Sequence, residues 1–238
     1  MVGCVYRRGG TAGTRDSGNR RRRRFALERQ AIAFSVEKRP ALDGRNLMGT
    51  LMIDFITSLD GYGAAEGWPG WWGMESAEYL GWLGEQPEHT ILMGATTYRL
   101  MSAFAASGEE GVDELTGISK VVFSSTLTEP LGWANTRLVG GDAVEAVRAM
   151  KEDSRIELRT LGSVSLCRSL ITAELVDRFR VVVFPVITGA TGQDRIYDGY
   201  PDIRLDLVES RTFEGGLQLL EYVPTVLDGP PGTTGAAS

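Results

Sequence analysis

One stretch, residues 156–176 (IELRTLGSVSLCRSLITAELV), constrains most strongly what this chain can fold into. Its first part alternates apolar and charged residues like a β-strand, and the part after Gly162-Ser163 places apolar residues at helical spacing. A strand that ends on glycine and leads directly into a helix leaves backbone N–H groups unpaired at the helix start. Those donors and the helix dipole favour a bound phosphate, although such a joint can also be only a tight connection.

The composition argues against a membrane protein, a disulfide-rich protein and a metalloprotein. The chain has 238 residues, of which 42% are hydrophobic, and no apolar run approaches the ~20 residues of a membrane span. Cys4 and Cys167 have no metal-binding spacing and predict no disulfide framework, which is typical of a cytoplasmic protein. The single histidine, His89, argues against a His-rich metal site. We therefore expect a soluble, cytoplasmic protein without a metal.

Residues 1–48 differ from the rest of the chain. They contain 12 of the 25 Lys and Arg residues but only 4 of the 31 Asp and Glu residues, with five arginines in a row at 20–24. Their polarity and lack of periodicity predict a disordered leader. An arginine run can bind nucleic acid or form a transit peptide, but we favour a translation start at Met48 or Met52. The remainder is acidic, which argues against a nucleic-acid partner.

The predicted domain spans 49–226, followed by a Pro/Gly-rich tail at 227–238 that is predicted to be disordered. A buried strand at 50–57 leads into a glycine-rich loop at 62–74 without periodicity. Such a long loop is typical of a lid, and Trp68, Trp71 and Trp72 offer flat apolar surfaces to cover a ring. The alternative is that these side chains anchor the loop on the core.

The rest of the domain alternates strands and helices. A strand at 90–93 ends at Gly94 and leads into a helix, which repeats the joint at Gly162. A strand at 121–123 ends in Ser124, Ser125 and Thr126, at the sheet edge where open α/β sheets bind ligands. Two alternating segments around Gly215-Gly216 predict a terminal hairpin. This order predicts a mostly parallel sheet with an antiparallel edge and helices on both faces.

Five segments in this order resemble the dihydrofolate reductase-like superfamily. They are SLDG (58–61), MGATTY (93–98), VVFSST (121–126), LGSVSL (161–166) and LVDRFRVVVFPVITG (175–189). Within the superfamily, the chain most resembles stand-alone relatives of the reductase domain of the bifunctional riboflavin-pathway deaminase-reductase. The resemblance covers residues 49–224. It implies a three-layer α/β fold and a homodimeric, NADPH-dependent reductase that acts on a small heterocycle such as a pterin, a pyrimidine or a riboflavin precursor.

The resemblance also implies roles for individual residues. Gly94 and Thr97 match a G-x-x-T turn on the pyrophosphate side of NADPH, and Gly162 and Ser163 match the glycine pair that cradles the pyrophosphate. Val164, the next residue, is also expected to bind the cofactor. The hydroxyls of Ser124, Ser125 and Thr126 match the strand end that holds the 2′-phosphate. On the substrate side of such an enzyme, we expect Asp60, Trp68, Trp71 and Trp72 to form the lid, with Glu78 and Pro185 on the far wall.

Several positions depart from the family. Ala95 replaces a common arginine, and Asp54 stands where the riboflavin reductase has a lysine, so binding of a phosphoribosyl substrate is not expected. A gapless count back from Gly94 places Glu78 at the substrate-binding carboxylate of dihydrofolate reductase, so we predict Asp60 and Glu78 as catalytic residues. The alternative for Glu78 is an ordinary glutamate of a first helical turn. The alternative for the whole protein is a catalytically silent nucleotide-binding protein.

Overall fold

The computed structural model of the chain describes residues 49–68, 72–108, 112–153 and 155–232. The predicted leader at 1–48, Trp71 of the predicted lid and residues 233–238 of the tail lie outside this part. The strands are β1 (Leu51–Ser58), β2 (Tyr62–Ala65), β3 (His89–Gly94), β4 (Lys120–Phe123), β5 (Thr136–Val139), β6 (Glu157–Thr160), β7 (Arg178–Phe184), β8 (Gly192–Arg195), β9 (Ile203–Thr212) and β10 (Gln218–Val226). The α-helices are α1 (Ala77–Gly84), α2 (Ala95–Ser107), α3 (Asp113–Thr116), α4 (Ala143–Asp153) and α5 (Val164–Thr172).

Eight of these strands form one sheet in the order β5-β4-β3-β6-β1-β7-β10-β9. All neighbours from β5 to β7 are parallel, whereas β10 pairs antiparallel with both β7 and β9. The predicted sheet, mostly parallel with a C-terminal antiparallel hairpin, is therefore confirmed.

The helices cover both faces of this sheet. Alternation along β3 sends Leu92 into a cluster with α4 and α5, while Ile91 and Met93 face the opposite way into a cluster with α2. A third cluster, on the same face as α2, packs α1 against β7 and β10 through Tyr79. The three layers follow from the apolar positions of the sequence, because each helix buries its apolar stripe against one face of the sheet.

A small second sheet was not predicted. The segment at 62–74 was expected to be a loop, but β2, which lies within it, pairs antiparallel with β8. The sequence of β2, YGAA, lacks the β-branched residues and the alternation that signal a strand, so only the long-range pairing reveals it. The ring of Tyr62 packs on Gly192 so closely that a Cβ there would lie 2.6 Å from the Tyr62 Cγ.

Candidate active site

The candidate site lies where the carboxyl ends of β3 and β6 meet. The two strands are neighbours in the sheet and pair up to Leu92 and Thr160. However, α2, which follows β3, and α5, which follows β6, pack on opposite faces. Such a divergence is the topological switch point of an open α/β sheet, where a ligand-binding crevice forms. The two strand–glycine–helix joints of the sequence therefore lie side by side.

Hydrogen bonds connect the two joints directly. The Ser163 hydroxyl accepts a hydrogen bond from the Gly94 N–H at 2.8 Å, across 69 residues of sequence. It also shares a hydrogen bond of 2.8 Å with the Thr97 hydroxyl. Gly162 lies equally close, since a Cβ there would be 3.4 Å from the Thr97 Oγ1. Four predicted residues thus form one connected group.

The backbone of the second joint is held in an unfavourable conformation. Gly162 has a φ of 54° and Ser163 a φ of 65°, both in the left-handed region. For a serine this region costs about 1–2 kcal/mol, and such strain is concentrated at functional sites. The Ser163 side chain makes no capping bond to α5, so the first N–H groups of α5, from Val164 onward, have no side-chain cap. Their donors remain available to a ligand.

The three hydroxyl residues that follow β4 differ in their contacts and in their exposure. The Ser124 Oγ accepts from the N–H groups of Thr126 and Leu127 at 3.0 and 3.1 Å, and so holds the turn together. Ser125 and Thr126 are exposed. Arg99, one helical turn after Ala95 on α2, donates from Nη2 to the Thr126 Oγ1 at 3.3 Å. A positive charge therefore lies beside the hydroxyls although the arginine expected at position 95 is absent.

A cavity of about 610 Å³ adjoins the joints, a size in the usual range for small-molecule sites. Thr97, Gly162 and Ser163 line it, and so do residues of α1 and β1, among them Trp82 and Asp54. The crevice at the switch point and the space between α1 and α2 are therefore one continuous cavity.

The two carboxylates predicted to be catalytic do not line this cavity. The Asp60 carboxylate accepts from the Ser58 hydroxyl at 2.7 Å and from the Thr188 N–H, and the Ser58 bond is the main reason that its pKa is lowered. Asp60 therefore ties the turn after β1 to the loop after β7. A carboxyl with a lowered pKa stays ionised at neutral pH and is a poor proton donor.

Glu78 is also bound elsewhere. Its two oxygens accept from the Arg211 guanidinium at 2.8 Å and from the Glu214 N–H at 2.9 Å, on the β9–β10 hairpin. The Arg211 bond is the first cause of the lowered pKa of Glu78. In this geometry Glu78 fastens α1 to the hairpin and does not line the cavity, and its catalytic role stays a prediction.

The other residues predicted on the substrate side have three different environments. Trp68 closes a tight turn with Ala65 and is 47% exposed. Trp72 packs against the cluster under α1, as an anchor would, and its indole N–H is buried without a hydrogen-bond acceptor. Pro185 is exposed directly after β7. None of the three lines the cavity in its present shape, so a lid formed by them stays a prediction.

Sequence reasoning missed two arginines at the site, Arg99 and Arg180. The side chain of Arg180 is 3% exposed and pairs with Asp54 on the neighbouring strand. A signal for this pair was present, since Asp54 is the sole charged residue of β1 and Arg180 lies within the apolar centre of β7. Buried charges are almost always paired, so each of the two predicts a partner.

Comparison with known proteins identifies the family. The RibD C-terminal domain model matches residues 49–219. The chain belongs to the RibD C-terminal domain family. The uncharacterized protein YyaP of Bacillus subtilis strain 168 is 28% identical over 139 residues, which cover 56% of this chain and 72% of YyaP. Family membership confirms the resemblance found in the sequence and supports the oxidoreductase class.

Solved structures agree with this RibD-type fold. A pyrimidine reductase-like protein from Corynebacterium diphtheriae matches with a TM-score of 0.53 at 14% identity, over 74% of this chain and 92% of that protein. A dihydrofolate reductase from Enterococcus faecalis, solved with NADP(H), matches with a TM-score of 0.50 at 16% identity, over 75% of this chain and 98% of that enzyme. At these identities the likeness shows the shared dihydrofolate reductase-like fold.

The described residues contain neither a membrane-spanning helix nor a cluster of metal ligands. No helix among them has the length and apolar character that crossing a bilayer requires. In the same part of the chain, no three His, Cys, Asp or Glu side chains are grouped so that they could hold a metal ion.

Proposed function

We propose that this RibD-type chain is an NADPH-dependent reductase that transfers a hydride to a small heterocyclic substrate. The single observation that carries the proposal is the hydrogen-bonded pair of joints at Gly94 and Ser163, which opens onto the cavity. Two helix N-termini converge there. The strained Ser163 bonds to the other joint and leaves the first turn of α5 uncapped. Convergent N–H donors and two positive dipole ends fit a diphosphate.

The end of β4 supports NADPH over NADH. A 2′-phosphate needs hydrogen-bond donors and a positive charge, and Ser125, Thr126 and Arg99 provide both at one exposed place. An enzyme that prefers NADH instead carries an acidic residue for the ribose hydroxyl. In this proposal Ser124 holds the turn and the other two hydroxyls contact the phosphate.

When bound, NADPH supplies a hydride, and the protein has to position the two reactants and exclude water. The residues of the cavity can do this. Gly162 and Thr97 lie at the joints, while the apolar side chains of Ile56, Leu83 and Val182 line the same space for a flat ring. Trp68 and Trp72 are placed in the loop that would cover the ring once it is bound. Family membership supports the reductase class.

The proposal is tested in two steps. Titration of the full chain with NADPH and with NADH, followed by tryptophan fluorescence, should show saturable binding with NADPH as the tighter ligand. Oxidation of bound NADPH is then followed by its absorbance across a panel of pterins and pyrimidines. Turnover of at least one of them supports the reductase. Binding without turnover on the whole panel favours a silent nucleotide-binding protein, and absence of NADPH binding refutes both.

We also propose that the chain forms a homodimer. The described sheet ends at β9, an edge strand that exposes Leu205, Leu207 and Val208. Unpaired backbone groups and apolar side chains on such an edge favour pairing with another strand. Light scattering should therefore give twice the chain mass, and Leu207→Lys should give the mass of a single chain. A monomeric wild-type protein would contradict the proposal.

A further inference from the structure

The strand β4 begins with a charged residue, Lys120, although all four residues of the strand are buried. Lys120 itself is 1% exposed. A lysine is almost never fully buried unless its ammonium group is paired. Among the described residues no carboxylate acts as its partner, so the charge has to be compensated by other groups.

Backbone carbonyls compensate this charge. The Lys120 Nζ donates to the carbonyl oxygens of Leu115 at 2.7 Å, of Thr116 at 3.2 Å and of Ile118 at 2.6 Å. All three N–H groups of the ammonium therefore have an acceptor. The Nζ also lies over the ring of Trp133, 4.5 Å from the ring centroid, where the face of the indole attracts a cation.

The segment that supplies these carbonyls depends on side chains to hold it. It includes the end of α3, a helix of four residues that is too short to be stable through its own hydrogen bonds. The Trp133 Nε1 donates to the Thr116 Oγ1 at 3.0 Å, and the Asn135 Nδ2 donates to the Thr116 carbonyl oxygen at 3.0 Å. Lys120 makes more bonds to the segment than either of these two residues.

This segment, residues 115–118, forms one end of the cavity, and we call it the end wall. Leu115, Gly117 and Ile118 line the cavity together with His89 and Thr90, the first two residues of β3. The joint at Gly94 lies at the other end of the same strand. A ligand bound at the joints that extends through the cavity therefore meets the end wall with its far end.

We propose that Lys120 is a positioning residue: its ammonium group fixes the end wall of the cavity, and loss of its proton releases that wall. This inference rests on the proposed function, since the wall bounds the same cavity. A neutral amine has two N–H donors and a lone pair, so at least one of the three carbonyls loses its donor. Burial lowers the pKa of Lys120 to about 8, which places the change in mildly alkaline solution.

The charged side chains of the neighbouring elements do not set this protonation. Those described are His89 of β3, Arg99 of α2, Glu114 of α3, Glu129 of the loop before β5 and Arg137 of β5. Glu129 accepts from the Leu138 N–H, and Arg137 contacts Met150 of α4. None of them contributes to the lowered pKa of Lys120, because its cause is burial.

The test is hydrogen exchange of the full chain at pH 7 and pH 9.5, read by mass spectrometry and corrected for the intrinsic exchange rate at each pH. Protection of the amides at 112–120 should fall roughly tenfold at the higher pH, while the central strands keep theirs. Tryptophan emission should change over the same range, with its midpoint at the pKa of Lys120. Trp133→Phe should abolish that change, since the Lys120 ammonium lies over this ring.

Two lysine and arginine variants separate the wall from the rest of the fold. Lys120→Met should show weak protection at 112–120 already at pH 7, and pH should no longer alter it. Arg137→Met is the matched control, because it removes an exposed cation from the next strand that contacts α4 and not the wall. Its protection and its emission should follow pH as those of the wild type do.

Four results would overturn the inference. They are equal protection of wild-type 112–120 at both pH values, loss of protection throughout the sheet, an emission change that persists in Trp133→Phe, and wild-type protection in Lys120→Met. The pH comparison uses wild-type protein, so it decides the matter even if Lys120→Met fails to fold. No ligand is needed, so absence of NADPH binding would refute the proposed function without affecting these outcomes.

Discussion

Arg99 is expected to determine the preference for NADPH. We predict that Arg99→Ala weakens NADPH binding and leaves NADH binding unchanged, because the guanidinium beside Thr126 can contact only the ligand that carries a 2′-phosphate. A hydrogen bond to a charged group contributes about 1.5–3 kcal/mol. Arg99 is exposed, so water and salt reduce this to the lower end of the range, which corresponds to roughly a tenfold change in Kd.

The assay is tryptophan fluorescence titration with both cofactors at low and high salt. The loss of NADPH affinity caused by Arg99→Ala should be smaller at 1 M salt, where the screening length falls to about 3 Å. Arg148→Ala removes another exposed arginine, from α4 on the other face of the sheet, and should change neither affinity. Equal weakening of NADPH and NADH by Arg99→Ala, or no weakening of either, would refute the assignment of this strand end.

Three further predictions concern the structure around the site. Gly192→Ala should lower the melting temperature by several degrees, because a Cβ there would collide with the Tyr62 ring at 2.6 Å; an unchanged Tm would refute that packing. Glu78→Gln should slightly destabilise the protein through its bond to Arg211 but leave turnover intact, whereas a loss of about 10²–10⁴ in rate would restore Glu78 as an acid/base group. The pKa of Asp60 is lowered, so its contribution to stability is complete above its ordinary value of 3.8 and disappears as the pH falls through the lower folded value. The Tm difference between wild type and Asp60→Asn should therefore vanish in strong acid, and a constant difference would contradict the assignment.

Much of the fold could be predicted because its signals are local. The strand that ends at Phe123 and the joints at Gly94 and Gly162 follow from apolar periodicity and from glycine placement alone. The pairing of β2 with β8 could not be predicted, since neither segment has strand propensity and the contact joins distant parts of the chain. Local sequence carries no information about such pairings.

In the candidate site, too, local features could be predicted from the sequence and long-range contacts could not. Sequence reasoning found both joints, but the hydrogen bonds from Ser163 to Gly94 and Thr97 depend on which strands are neighbours, and that order is a property of the whole sheet. The gapless count to Glu78 carried no information on where this side chain points; its carboxylate bonds to the hairpin and does not line the cavity. The pairing of Arg180 with Asp54 was not predicted, because the two residues lie 126 positions apart in the sequence.

The most direct test of the central claim is hydrogen exchange of the full chain with and without NADPH, read by mass spectrometry. If the two joints hold the diphosphate, amides at 94–98 and 162–166 should become protected together, and those at 124–127 should follow when the 2′-phosphate is present. NADH should protect the first two segments but not the third. Saturating NADPH that protects neither joint, or that protects only segments away from the carboxyl ends of β3 and β6, would contradict the account.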